Sequence, residues 1–180
     1  MSHLESWTAY HGIRTRDVDA ETFTFGGLAD FPEGIHLGSL AQAKMRAGRG
    51  TVIEVIVNAS QLSPNGLKRV KDRPGGWRTT NRRARGNGSA ALVYLNRYEG
   101  VDEAALAKIL KIGSDRFDRM SDAEVRRRVP ELKDSWVVLD PEIVTIRRAL
   151  DPDEVARMLQ SQPTELGGQE NLLPCSPTGR

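Results

Sequence analysis

Thr51-Val52-Ile53-Glu54-Val55-Ile56-Val57-Asn58-Ala59 is the clearest strand in the chain, dense in β-branched residues. Just before it, Ser39 to Arg46 (SLAQAKMR) reads as a helix. Ser39 suits the N-cap, and Ala41, Gln42 and Ala43 are helix formers. After it comes Lys68 to Arg85, rich in Gly, Pro, Thr and Asn and without clear periodicity, which reads as a loop. Ala90 to Asn96 (AALVYLN) is the next strand. Val101 to Ile112 and Ser121 to Arg128 read as helices, with Asp102 and Asp122 at their starts as the helix dipole favours. Ser135 to Leu139 (SWVVL) is a strand, Glu142 to Arg148 continues it after a break at Pro141, and Asp151 to Gln160 is a short helix opened by Asp and Pro. At the other end, Ser6 to His11 is a short strand. Glu21 to Phe25 alternates polar and apolar residues, as a half-buried strand or an extended arm does. Gly26-Gly27 and Phe31-Pro32-Glu33-Gly34 are turn material. Strands outnumber helices and do not alternate with them as βαβ units would, so the class is α+β.

The chain has 180 residues, 38% hydrophobic and 28% charged, enough for one domain with a buried core. Residues 1–160 form that domain. Gln162 onward is rich in Pro, Gly, Ser and Gln, and residues 161–180 are expected to be a disordered tail. The single cysteine, Cys175, makes no internal disulfide, so a reducing compartment is compatible. No CxxC or His-rich cluster offers a metal site. The start of the chain lacks the apolar core of a signal peptide, and no apolar run is long enough to span a bilayer. The expected setting is the cytoplasm, the protein's own or that of a host into which it is delivered.

The net charge is only +2, but its distribution is uneven. Lys68, Arg69, Arg73, Arg82, Arg83 and Arg85 lie in a stretch opposed only by Asp72. That is either a solvated excursion or a surface for phosphate or nucleic acid, with Trp77 available for stacking.

Of 3 histidines, one sits in Tyr10-His11-Gly12 at the end of the first strand, followed by Arg14 and Arg16. A second sits in Gly34-Ile35-His36-Leu37-Gly38. A third short piece is Asp134-Ser135-Trp136-Val137-Val138-Leu139-Asp140. Taken alone, His11 and His36 also fit packed histidines, Ser135 an ordinary strand residue, Asp134 a turn cap, and Trp136 and Tyr94 core residues. In this order, the three pieces resemble the ADP-ribosyltransferases of the diphtheria toxin and poly-ADP-ribose polymerase branch, which use a His-Gly strand, a Gly-Ile-Tyr-Phe-type strand leading into a helix, and a Glu-Tyr-Ile-Val-Tyr-Asp-type strand. The nearest pattern is that of the phage and bacterial polyvalent-protein domains. Gln42-Ala43 and Asp134 to Pro141 follow that pattern, His36 stands where the branch has Tyr, and Ser135 stands where it has Glu. The resemblance covers residues 7 to 148, with Glu99 to Lys133 reading as an insertion.

The resemblance implies a split pair of small twisted sheets around an NAD cleft, and mono-ADP-ribosyl transfer to a protein or nucleic-acid acceptor by a toxin, effector or phage factor. It implies that His11 bonds the adenosine ribose and Gly12 lends backbone to the nicotinamide amide, a glycine allowing close approach. His36 stacks on the nicotinamide, and Arg14 or Arg16 meets the pyrophosphate. Cleaving the N-glycosidic bond builds positive charge on the ribose, which a carboxylate stabilises. Ser135 carries no charge. Asp134 is its neighbour, but adjacent strand residues face opposite ways, so it substitutes only across a twist or bulge. Glu131 and Glu33 are the other carboxylates considered. The alternatives are a domain that has lost turnover and only binds a nucleotide or partner, and a nucleic-acid-binding module. The related NAD-dependent RNA 2′-phosphotransferases also use His and Arg, but no later Arg motif here favours them.

Overall fold

The computed structural model describes residues 6–16, 18–21, 23–25, 34–58, 66–72 and 76–161. Glu33, Arg73, the turns at Gly26-Gly27 and Phe31-Pro32, Cys175 and residues 162–180 lie outside them. The strands are β1 (Trp7–Ile13), β2 (Ile35–Leu37), β3 (Thr51–Val57), β4 (Leu67–Arg69), β5 (Ala91–Leu95), β6 (Asp134–Val138) and β7 (Val144–Leu150). The helices are α1 (Leu40–Ala47), α2 (Trp77–Gly86), α3 (Glu103–Ile112), α4 (Ser114–Arg119), α5 (Asp122–Arg128) and α6 (Pro152–Ser161), with one 3-10 turn at Pro141–Ile143. The fold is α+β. Two small sheets carry it, one ordered β1-β3-β7 and the other β2-β6-β5-β4. All pairings are antiparallel except β4 with β5.

β3 is the centre of the first sheet, as its β-branched composition favours. Its inward residues Ile53, Val55 and Val57 meet Ala9 of β1 and, across the gap, Ile35 and Leu37 of β2, Ala91 of β5 and Val138 of β6. The two sheets therefore face each other over the main core. Phe25 packs into the same cluster and Phe23 against it, and neither enters a ladder, so this segment is an arm rather than a strand. On the outer face of the first sheet, Leu40, Ala43 and Ala47 of α1 pack with Val52, Leu150 and Val155 of α6. α1 begins with a reciprocal cap. Ser39 Oγ accepts from Gln42 N at 3.3 Å, and Gln42 Oε1 accepts from Ser39 N at 2.7 Å.

The stretch from Lys68 to Arg85 is not a loop. Its start pairs as β4 and its end winds into α2. The half-buried Trp77, the buried Asn81 and the buried Ala84 recur at helical spacing. Trp77 and Ala84 pack on the outer face of the second sheet, against Leu92, Tyr94, Val137 and Leu139. Packing against a sheet decides the conformation where propensity does not. The region from Glu99 to Lys133 forms a helical lobe, α3 to α5, whose Ala105, Phe117, Met120, Val125, Val129 and Leu132 enclose Leu95 at the end of β5. α4 within it was not foreseen. Arg97 ties the lobe to β5. Its guanidinium is 2% exposed and donates to the carbonyls of Phe117 and Met120 at 2.9 Å each and to Asp122 at 2.6 Å.

Candidate functional site

Among the described residues, the sheets touch edge to edge at one isolated bridge. Tyr10 N donates to Gly38 O, and Gly38 N donates to Tyr10 O, both at 3.0 Å. This bridge brings β1 and β2 side by side. His11 strengthens it, its Nδ1 lying 2.8 Å from the carbonyl oxygen of His36. A carbonyl only accepts, so the proton sits on Nδ1 and a neutral His11 presents Nε2 as an acceptor. Burial holds the His11 imidazole below its ordinary pKa, while the bond to His36 O acts in the opposite sense. Its ring packs edge-on against Phe25, centroids 5.3 Å apart.

Gly12 turns the other way, towards α1. A Cβ there would overlap the Ala43 carbonyl oxygen and lie 2.8 Å from Ala47 N. The close approach at this glycine is made by the helix backbone, a packing reason independent of any ligand.

Beside the bridge is a pocket lined by Tyr10, Gly12, His36, Gln42, Tyr94, Ser135 and their neighbours. Three pieces separated in sequence thus converge: the His-Gly strand through Gly12, the second strand through His36, and the third through Ser135. His36 pairs with Val137 across β2 and β6, and Tyr94 pairs with Ser135 across β5 and β6. The register puts His36, Tyr94 and Ser135 on one face of the sheet. His36 and Trp77 rings meet edge to face at 5.5 Å, and Trp77 and Tyr94 at 4.7 Å. Tyr94, buried under α2, has its phenol pushed well above the ordinary value by desolvation, then by the Glu99 and Asp72 carboxylates. It stays a hydroxyl, opposite Ser135 across the β5–β6 ladder.

The pocket's volume is about 10 Å³, room for about one water. Arg46 and Glu99 also line it. Arg46 Nη1 lies 3.5 Å from Glu99 Oε1, with side chains 44% and 34% exposed. A second hollow of about 140 Å³ shares Tyr10 and Gly38 and is lined also by Thr8, Ser39, Leu40, Lys133, Asp134 and Trp136.

The structure does not bring every expected residue to the first pocket. His11 lies on the face of β1 opposite Tyr10 and Gly12, against Phe25, and does not line it. Asp134 pairs in regular register with Leu95, so its side chain faces away from Ser135 into the second hollow. Arg69 holds it at 2.7 Å, and Arg126 holds it from α5. No bulge opens β6 at this point. Glu131 pairs with Lys108 of the helical lobe. Arg14 and Arg16 are exposed beyond the end of β1, and Arg16 Nε donates to Arg49 O at 3.1 Å. Sequence reasoning missed Glu99, Asn96 and Arg46, which have no motif or periodicity. Among the described residues, no cluster of His, Cys, Asp and Glu is arranged to hold a metal ion, and no helix is long and apolar enough to cross a membrane. No family model, curated protein or solved structure matches the chain.

Proposed function

We propose that the pocket beside the Tyr10–Gly38 bridge binds NAD and that the protein is a mono-ADP-ribosyltransferase acting on a protein or nucleic-acid acceptor. The observation that carries this reading is the convergence of Gly12, His36 and Ser135 on one pocket, with β2 tied to β1 by the bond from His11 to the His36 carbonyl. His11 is half-buried on the other face of β1, and its Nδ1 bond to the His36 carbonyl holds the strand that carries His36 into the pocket. His36 and Tyr94 offer ring faces and edges for a nicotinamide. At about 10 Å³ the pocket must widen to admit a dinucleotide. The exposed Arg46 side chain is the part of its rim that can swing away, since an exposed ion pair at this distance is weak. Purified protein incubated with labelled NAD and cell lysate should place label on protein or on nucleic acid. Absence of label from both, with no loss of NAD, contradicts the reading.

A second reading has its own observation. Arg78, Arg82 and Arg83 project from α2 into solvent, α2 carries no carboxylate, and Lys68 lies on the sheet face that α2 covers. That surface suits a nucleic acid, as acceptor or as bound partner. Affinity for a single-stranded oligonucleotide should then fall steeply with salt, and Arg78→Glu with Arg82→Glu and Arg83→Glu should lower the log–log slope by roughly 2. Salt-insensitive binding, or none at low salt, leaves α2 an ordinary solvated helix.

A further inference from the structure

Bond cleavage at the ribose of NAD calls for an anionic side chain beside it. Ser135 carries no charge, Asp134 faces the other hollow between two arginines, and Glu131 is turned to Lys108. Among the described residues, the carboxylate that lines the same pocket as Ser135 is Glu99. We propose that Glu99, on the loop between β5 and α3, is the catalytic carboxylate of this site. The proposal rests on reading the pocket as an NAD site.

The loop is built to hold that carboxylate. Asn96 Oδ1 accepts from the backbone N–H of Tyr98 at 3.2 Å and of Glu99 at 3.0 Å, closing the turn. Asn96 Nδ2 donates to Glu99 Oε2 and to Ser135 Oγ, both at 3.0 Å. One amide nitrogen therefore anchors both oxygens, which lie within about 6 Å of one another. Gly100, at φ +67°, seats the loop on α1, where a Cβ would come 2.6 Å from Gln42 Cγ and 2.8 Å from Gln42 N. Gln42 Nε2 in turn donates to Lys133 O at 3.3 Å, just before β6. Glu99 is thus fixed relative to β6 through Asn96 and relative to β1 through α1. Its partner Arg46 is part exposed, and a pyrophosphate would offer that guanidinium a stronger, bidentate anion. Binding would then free Glu99 towards the ribose.

The chemistry balances without redox change. The bond between ribose C1′ and the nicotinamide nitrogen breaks, and its electron pair leaves with neutral nicotinamide. A lone pair of the acceptor, water in the simplest case, makes the new C1′–O bond. Glu99 takes the proton that this oxygen loses and passes it to solvent, and its charge opposes the positive charge building on the ribose.

The test uses the full chain and NAD, with water as acceptor. It reads nicotinamide release, NAD affinity by calorimetry and thermal unfolding. Glu99→Gln keeps the side chain's shape and its oxygen for Asn96. It should leave Tm unchanged and NAD affinity within roughly two-fold, and slow release about 10²–10³-fold. Ser135→Glu in the Glu99→Gln background should recover part of the rate. Should Glu99→Gln fail to fold, Glu99→Asp carries the test, since retracting the charge by one methylene should slow release roughly 10–100-fold. Wild-type release rates in the folded variants overturn the role of Glu99 and leave the NAD reading standing. A wild type that neither binds nor cleaves NAD overturns both.

Discussion

His11 does two jobs with one ring. Its Nδ1–H ties the first sheet to the second through the carbonyl of His36, and its burial keeps the ring neutral. Because burial dominates and lowers the pKa in the folded state, the unfolded chain binds the proton more readily. Stability is therefore full above the ordinary value of 6.5 and is lost as pH falls below it towards the lower folded value. Wild-type Tm should drop between pH 7.5 and pH 5.5 by more than that of His11→Gln, whose amide does not titrate; parallel curves would contradict this. At this scale, sequence alone singled out His11-Gly12, because a histidine beside a glycine is chemically conspicuous. It gave Gly12 only a ligand-contact reason, whereas the overlap of a Cβ with Ala43 shows a packing one. Glu99 and Asn96 escaped notice because side-chain bonds within a turn leave no periodic trace.

The elements divide by how their burial shows in composition. β3 and β5 are buried on both faces and are rich in apolar residues, and α1 announces itself by Ser39 and Gln42. α2 did not, because its inward stripe has Asn81 in the middle and its outward face is arginine. β4 has three residues, too few to show alternation. Arg97 is the buried polar anchor of the helical lobe α3 to α5, beside the more exposed links Arg126–Asp134 and Tyr98–Asp118. Arg97 should not tolerate removal, since Arg97→Ala orphans the Phe117 and Met120 carbonyls and strips Asp122 of its partner. Urea unfolding should show a loss of roughly 2–4 kcal/mol, the scale for leaving two buried acceptors unpaired. A loss under about 0.5 kcal/mol, the range of ordinary surface substitutions, would mean that the lobe is held by its apolar contacts and the more exposed links.

At the scale of the whole molecule, two small sheets enclose a shared core and meet edge to edge at Tyr10 and Gly38. That junction gathers Gly12, His36 and Ser135 into one pocket, with His11 bonded to the His36 carbonyl and Glu99 and Arg46 also lining it. The α+β class was legible because few strands alternate with helices along the chain, although β4, α2 and β5 form one parallel βαβ unit that the loop reading of Lys68 to Arg85 concealed. The arrangement of the sheets was not, since pairing partners such as β1 with β3, and β2 with β6, are far apart in sequence. The claim on which the functional account depends is that this junction binds NAD. Calorimetric titration of NAD into the folded wild type and into His11→Ala tests it most directly. Saturable binding by the wild type, weakened by about 1–3 kcal/mol in His11→Ala, is the expected result, the scale for leaving the His36 carbonyl without the donor that positions its strand. No heat of binding from a wild type shown to be folded, or equal affinity in the two proteins, would contradict it.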